Sequence, residues 1–79
     1  MFEFTLITPT SNRTITISWV ECQTSQGSLI IQRGHAPLVA ILKPLCEVRF
    51  ENENGVIEAM EISGGIAEVR RDAVLIIVD

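Results

Sequence analysis

The sequence has no tyrosine, one tryptophan, one histidine and two cysteines, and each scarcity excludes something. With His35 alone and neither Cys22 nor Cys46 in a Cys-x-x-Cys pair, there is no ligand set for zinc, and no metal is expected. Basic residues are few: six Lys and Arg stand against ten Asp and Glu, for a net charge of −4. Binding a phosphate backbone needs clustered cations, and the only adjacent pair is Arg70-Arg71, so nucleic acid is not an expected partner. No apolar run approaches the roughly 20 residues that span a bilayer, so membrane insertion is not expected. Met1-Phe2-Glu3-Phe4 lacks the charged start and apolar stretch of a signal peptide, which points to a cytosolic or organelle-internal setting. In that setting the two cysteines are expected to be free thiols.

What is present is aliphatic. Hydrophobic residues make up 47% of 79, with three Phe and little else that is aromatic. A chain of this length is expected to form one domain, residues 1–79, and to bury only about 60% of its unfolded surface. A core of Ile, Val and Leu favours sheet.

Alternation runs along most of the chain. Phe2, Phe4 and Leu6 alternate with Glu3 and Thr5, a half-buried strand. Thr8 to Asn12 is a turn. From Thr14 to Val20 the pattern places Ile15, Ile17 and Trp19 on one face, so Trp19 is expected in the core. Gln23 to Gly27 is polar, Leu29 to Ile31 apolar, and Gln32 to His35 a turn. Leu38 to Leu42 is an unbroken apolar run between Pro37 and Pro44, where periodicity does not separate a buried strand from a helical turn. Cys46, Val48 and Phe50 alternate with Glu47, Arg49 and Glu51. Asn52-Glu53-Asn54-Gly55 closes a hairpin, and the irregular return through Ala59-Met60 is a place for a bulge. Gly64-Gly65 marks a bend or a close backbone approach. Ile66 to Val69 and Ala73 to Val78 are the last strands. Roughly seven to nine strands at intervals of about ten residues indicate an all-β sandwich or barrel.

The chemistry of catalysis is thinly represented. Ser63 has no nucleophile-elbow pattern around it, and His35 would have to act as base without an orienting carboxylate. Glu58 and Glu61 fall on opposite faces of a strand. Gly64-Gly65 lacks the lysine and the following helix of a phosphate loop. No catalytic residue, cofactor or small-molecule substrate is expected. His35 has two readings: a turn residue whose imidazole caps a backbone carbonyl, or a contact on a projecting loop.

Gly27 to Leu38, with the core Gly34-His35-Ala36-Pro37-Leu38, together with Ala40-Ile41-Leu42-Lys43-Pro44 and Ile62-Ser63-Gly64-Gly65-Ile66, resembles the epsilon subunit of F-type ATP synthases. The resemblance covers essentially all 79 residues. It implies a flattened all-β sandwich of roughly eight to ten short, mostly antiparallel strands. It also implies a non-catalytic place in the rotor's central stalk, binding the gamma subunit and resting on the c-ring, with torque coupling proton flow to ATP synthesis. A bacterial cytoplasmic face, or an organelle matrix or stroma, is the implied location. Gln26, Gly27, Ser28, Arg33, His35 and Pro37 become the partner-facing candidates, and Gly34, Gly64 and Gly65 the structural turns. Members usually carry a helical hairpin after the sandwich; it is not in this sequence, and its inhibitory and ATP-binding roles are not expected of these residues. Gln26-Gly27-Ser28 stands where Glu-Gly-Glu is usual, Ile30 where glycine is common and Arg33 where proline is common. The alternative reading is a free-standing protein-binding module with the same fold.

Overall fold

A computed structural model describes residues 1–79. The strands are β1 (Phe2–Ile7), β2 (Asn12–Thr24), β3 (Gly27–Gln32), β4 (Leu38–Leu42), β5 (Cys46–Asn52), β6 (Ile57–Ile62), β7 (Gly65–Val69) and β8 (Ala73–Val78). The sheet path runs β1-β8-β7-β4-β2-β5-β6, with β3 on the other side of β2. All pairings are antiparallel except that of β1 with β8.

The two layers share β2. Its first half, Asn12–Ile17, pairs with β1, and its second half, from Trp19, pairs with both β3 and β5. Between the halves lies a bulge: Ile17 faces Asn52 and Trp19 faces Glu51, so Ser18 is the extra residue. A strand that changes layers must bend, and one unpaired residue supplies the bend. β4 returns to β2 through one pair, Thr24 with Leu42.

The bulge corrects the expectation for Trp19. One inserted residue exchanges the faces of everything after it. Ile17 is buried, but the next inward residues are Val20 and Cys22, and Trp19 is half-buried outside the core. The irregularity expected at Ala59-Met60 is absent. β6 pairs with β5 in unbroken register from Ile57 to Ile62.

The core holds sixteen buried residues, among them Phe4, Ile17, Val20, Ile31, Val48, Phe50, Ala67, Val74 and Ile76. Phe4 and Phe50 meet across the layers with ring centroids 5.2 Å apart and tilted by 56°, near the edge-to-face preference of aromatic pairs. Cys22 and Cys46 are buried free thiols within this core. Burial pushes the Cys22 thiol up to about 11, and Cys46 and Glu21 add to the shift.

The polar turns close by local hydrogen bonds. Asn52 Oδ1 accepts from the Asn54 and Val56 amides at 2.9 and 3.1 Å. In that turn Gly55 alone takes a positive φ, 77°. At the β2 end of the same region Arg13 reaches Glu58 at 3.1 Å and lies 5.8 Å from the Phe50 ring centroid. The Asn52 amide bonds to Glu58 at 3.2 Å. Hydrogen bonds from Asn52 and Arg13 hold the Glu58 carboxyl below its ordinary range.

Candidate interaction surface

The run Leu38 to Leu42 forms a strand, and so its side chains alternate across the sheet. Leu42 enters the core. Ile41 and Val39 stand in solvent, 76% and 69% exposed. The register then builds a row that no single strand contains. Ile41 pairs with Ile66, Ile66 with Ile77, and Ile77 with Ile7. Ile66 and Ile77 are exposed and Ile7 is half-buried. In the next row Val39 is opposite Glu68, whose carboxylate is held by Arg70 at 2.7 and 2.8 Å, and Glu68 is opposite Leu75. Four isoleucines in register on an outer face, beside Val39, form a contiguous apolar stripe of the kind that marks a protein-binding surface.

Beside β4 lies an open groove of about 550 Å³, walled by Thr24 to Leu29 on one side and Leu38 to Ile41 on the other. No charged residue lines it. It exists because β4 touches β2 only at Thr24–Leu42 and then separates from it.

Three of the candidate partner-facing residues, Gln26, Gly27 and Ser28, line this groove. Ser28 Oγ donates to Gln23 Oε1 at 3.0 Å, and Gly27 has a φ of 116° with open space where a Cβ would be. The other three lie elsewhere. Arg33, His35 and Pro37 belong to the turn after β3, roughly one strand length away. That turn is fastened to Arg71: the Gly34 amide, at a φ of 84°, donates to the Arg71 carbonyl at 2.8 Å. The His35 amide donates to Gln32 O at 3.1 Å. Its ring Nδ1 lies 2.8 Å from the Ala36 carbonyl, and since a carbonyl only accepts, Nδ1 carries the proton. The ring caps its own turn, is half-buried, and leaves Nε2 free to meet a partner. Leu38 is the one residue of the Gly34 to Leu38 stretch that reaches the groove.

Gly64 and Gly65 have φ values of 137° and 153°. A Cβ on Gly65 would collide with the Ile77 carbonyl oxygen and lie 3.0 Å from its carbon. Ser63 Oγ donates to the Asp79 carbonyl at 3.3 Å, so Ser63 and His35 are each engaged with backbone and not with one another.

The sequence-based family model for the ATP synthase delta/epsilon chain, beta-sandwich domain, matches residues 1–79. This chain belongs to that family. It is 48% identical over 63 residues to the ATP synthase epsilon chain of Ruthia magnifica subsp. Calyptogena magnifica, covering 80% of this chain and 44% of the relative. It is 43% identical over 53 residues to the epsilon chain of Acinetobacter baylyi, covering 67% and 37%. The chain thus spans less than half the length of these curated relatives. A chain of the Tetrahymena thermophila mitochondrial ATP synthase central stalk and c-ring superposes with a TM-score of 0.78 at 26% identity, covering 98% of this chain and 62% of that one. A chain of the Euglena gracilis mitochondrial ATP synthase, in an assembly of OSCP, F1 and c-ring, gives 0.86 at 24% identity, covering 98% and 49%, and shows the shared fold.

The isoleucine stripe was not legible beforehand, because each member sits on a different strand and only the register aligns them. The outward-facing apolar residues within Leu38–Leu42 and Ala73–Val78 were the available signal.

Proposed function

We propose that this sandwich is a non-catalytic rotor element that binds the gamma subunit through the stripe of Ile41, Ile66, Ile77 and Val39, and contacts the c-ring through the Gln26-Gly27-Ser28 turn. In this role it transmits torque that couples proton translocation to ATP synthesis, on the cytoplasmic or matrix side of a membrane complex. The single observation that carries the reading is the apolar stripe on a domain of the epsilon family. Fully burying one isoleucine stabilises by about 1.5–3 kcal/mol, so closing such a stripe supplies a substantial part of a stable interface. A relative is named as part of a central stalk with a c-ring, and this supports the direction of the assignment. The c-ring contact differs in character from the gamma contact, because Gln26, Gly27 and Ser28 offer hydrogen bonds and no charge.

Calorimetry of this chain with a gamma subunit from the same source tests the proposal. Micromolar or tighter binding is expected, with Ile41→Ser weakening it by about tenfold or more at an unchanged melting temperature. His35→Ala is expected to weaken binding less, through loss of the ordered turn and the free Nε2. Absence of binding by the folded wild-type chain would favour the second reading, a free-standing module with its own partner. The uncharged groove is the feature that speaks for that reading.

A further inference from the structure

Leu45, in the connection from β4 to β5, is the one non-glycine residue with a positive φ, 53°. It is also the most exposed large hydrophobic residue of the chain, at 78%. For an L-residue with a bulky side chain the left-handed region brings Cβ against the following carbonyl, and strain of this kind gathers where structure serves a partner. Only the Leu45 backbone is used internally, its amide donating to Ser63 O at 3.3 Å. The side chain adds nothing to the core.

The neighbouring charges are unbalanced in one direction. Two residues on, Glu47 is directly opposite Glu61, and both are exposed; like charges directly opposite on a ladder repel. Arg49 reaches Glu47 only at 3.8 Å and lies equally far from Glu21. Asp79 lies at Gly64, beside Pro44. Lys43 is the one basic residue of the turn itself. The turn follows directly on β4, whose Ile41 belongs to the stripe, and it approaches Gly64, the residue before β7, whose Ile66 also belongs to it; on its other side the Lys43 amide donates to Gln23 O at 2.9 Å.

We propose that Leu45 is a docking anchor: its side chain enters an apolar pocket rimmed by Lys or Arg on the gamma-type stalk subunit. This rests on the stalk reading above and adds to it a second, separable contact. A solvated leucine and a repelling Glu47–Glu61 pair are both relieved by such a pocket, the first by burial and the second by opposite charge.

The test uses the purified chain and the purified gamma subunit from the same source. Leu45→Gly removes the side chain and the strain together. It is expected to melt at the same temperature as wild type or higher, and to bind at least about tenfold more weakly. A double variant, Glu47→Gln with Glu61→Gln, is expected to bind more weakly at low salt and to lose part of the wild-type salt dependence. If wild type binds and Leu45→Gly binds equally, the anchor is overturned and the stalk reading stands. A lower melting temperature for Leu45→Gly also overturns it, by showing that the side chain serves the fold. No binding by wild type overturns both. Concentration-dependent self-association that Leu45→Gly abolishes would assign the anchor to a second copy of this chain and overturn the gamma pocket.

Discussion

Replacing Gly65 by alanine tests how closely β7 and β8 approach one another. Gly65 pairs with Val78, and its φ of 153° exposes the α-carbon to the backbone of Ile77. A methyl group there strikes the Ile77 carbonyl oxygen and lies 3.1 Å from the Val78 α-carbon. Both neighbours are backbone, so relief requires a strand to move. Strain of a side chain in this conformation costs about 1–3 kcal/mol and overpacking a comparable amount, giving a loss of about 2–6 kcal/mol. A domain of this size is stabilised by about 4–12 kcal/mol in all. Gly65→Ala is therefore expected to lower the urea midpoint drastically or to prevent folding. Gly64→Ala is the control. It has a comparable φ of 137°, but its new methyl meets the Asp79 carboxylate at 3.1 Å, a side-chain end that can swing away. Unfolding followed by Trp19 fluorescence and circular dichroism separates the two. Equal midpoints for Gly64→Ala and Gly65→Ala would refute the reasoning, because they would mean that β8 yields freely.

Deleting Ser18 closes the register of Ile17 and Trp19 on Asn52 and Glu51 and so leaves Val20 and Cys22 inward, but it removes the bend by which β2 changes layers; a clearly lowered melting temperature is expected, and a melt at the wild-type temperature would show that the bend does not need the extra residue. Phe4→Ala should cost about 3–5 kcal/mol in chemical denaturation, because Phe4 is buried against Phe50. The Cys22 thiol is held up to about 11 from 9.0, so its contribution is intact below pH 9 and is lost as pH rises toward 11. Cys22→Ala should flatten that alkaline fall, and an unchanged pH profile would count against the burial. The Glu58 carboxyl is held low by Asn52 and Arg13, so its contribution is present above its ordinary value of 4.5 and fades as pH falls through the folded value. Glu58→Gln should make the acid limb shallower by a small amount, as befits an exposed pair.

Legibility followed the kind of information each feature needs. β1 was readable because Phe2, Phe4 and Leu6 carry their period within one strand. Gly64-Gly65 was readable because paired glycines signal a backbone demand. Trp19 was misplaced because the alternation through Thr14 to Val20 continues without a visible break. The signal was there in a different form: apolar residues shift from odd positions, Ile15 and Ile17, to even ones, Val20 and Cys22. The separation of Gln26, Gly27 and Ser28 from the Arg33 to Pro37 turn comes from the run of β3 between them, which composition and periodicity do not orient. Leu45 gave no sequence warning, since Pro44-Leu45 carries no glycine or asparagine at the left-handed position.

The parallel pairing of β1 with β8 has a consequence for how the molecule comes into being. Glu3 is matched with Ala73 and Ile7 with Ile77, and β8 lies between β1 and β7. During synthesis β1 thus waits for β8, holding only β2 as a neighbour. Until Val74 and Ile76 arrive, Phe4 and Leu6 lack part of their cover, and the layer exists as two unjoined pieces. Pairings this distant along the chain slow folding into the millisecond-to-second range. A chain lacking β8 would therefore be not a nearly finished domain but an open, sticky half-sheet, and β8 is the keystone of this layer.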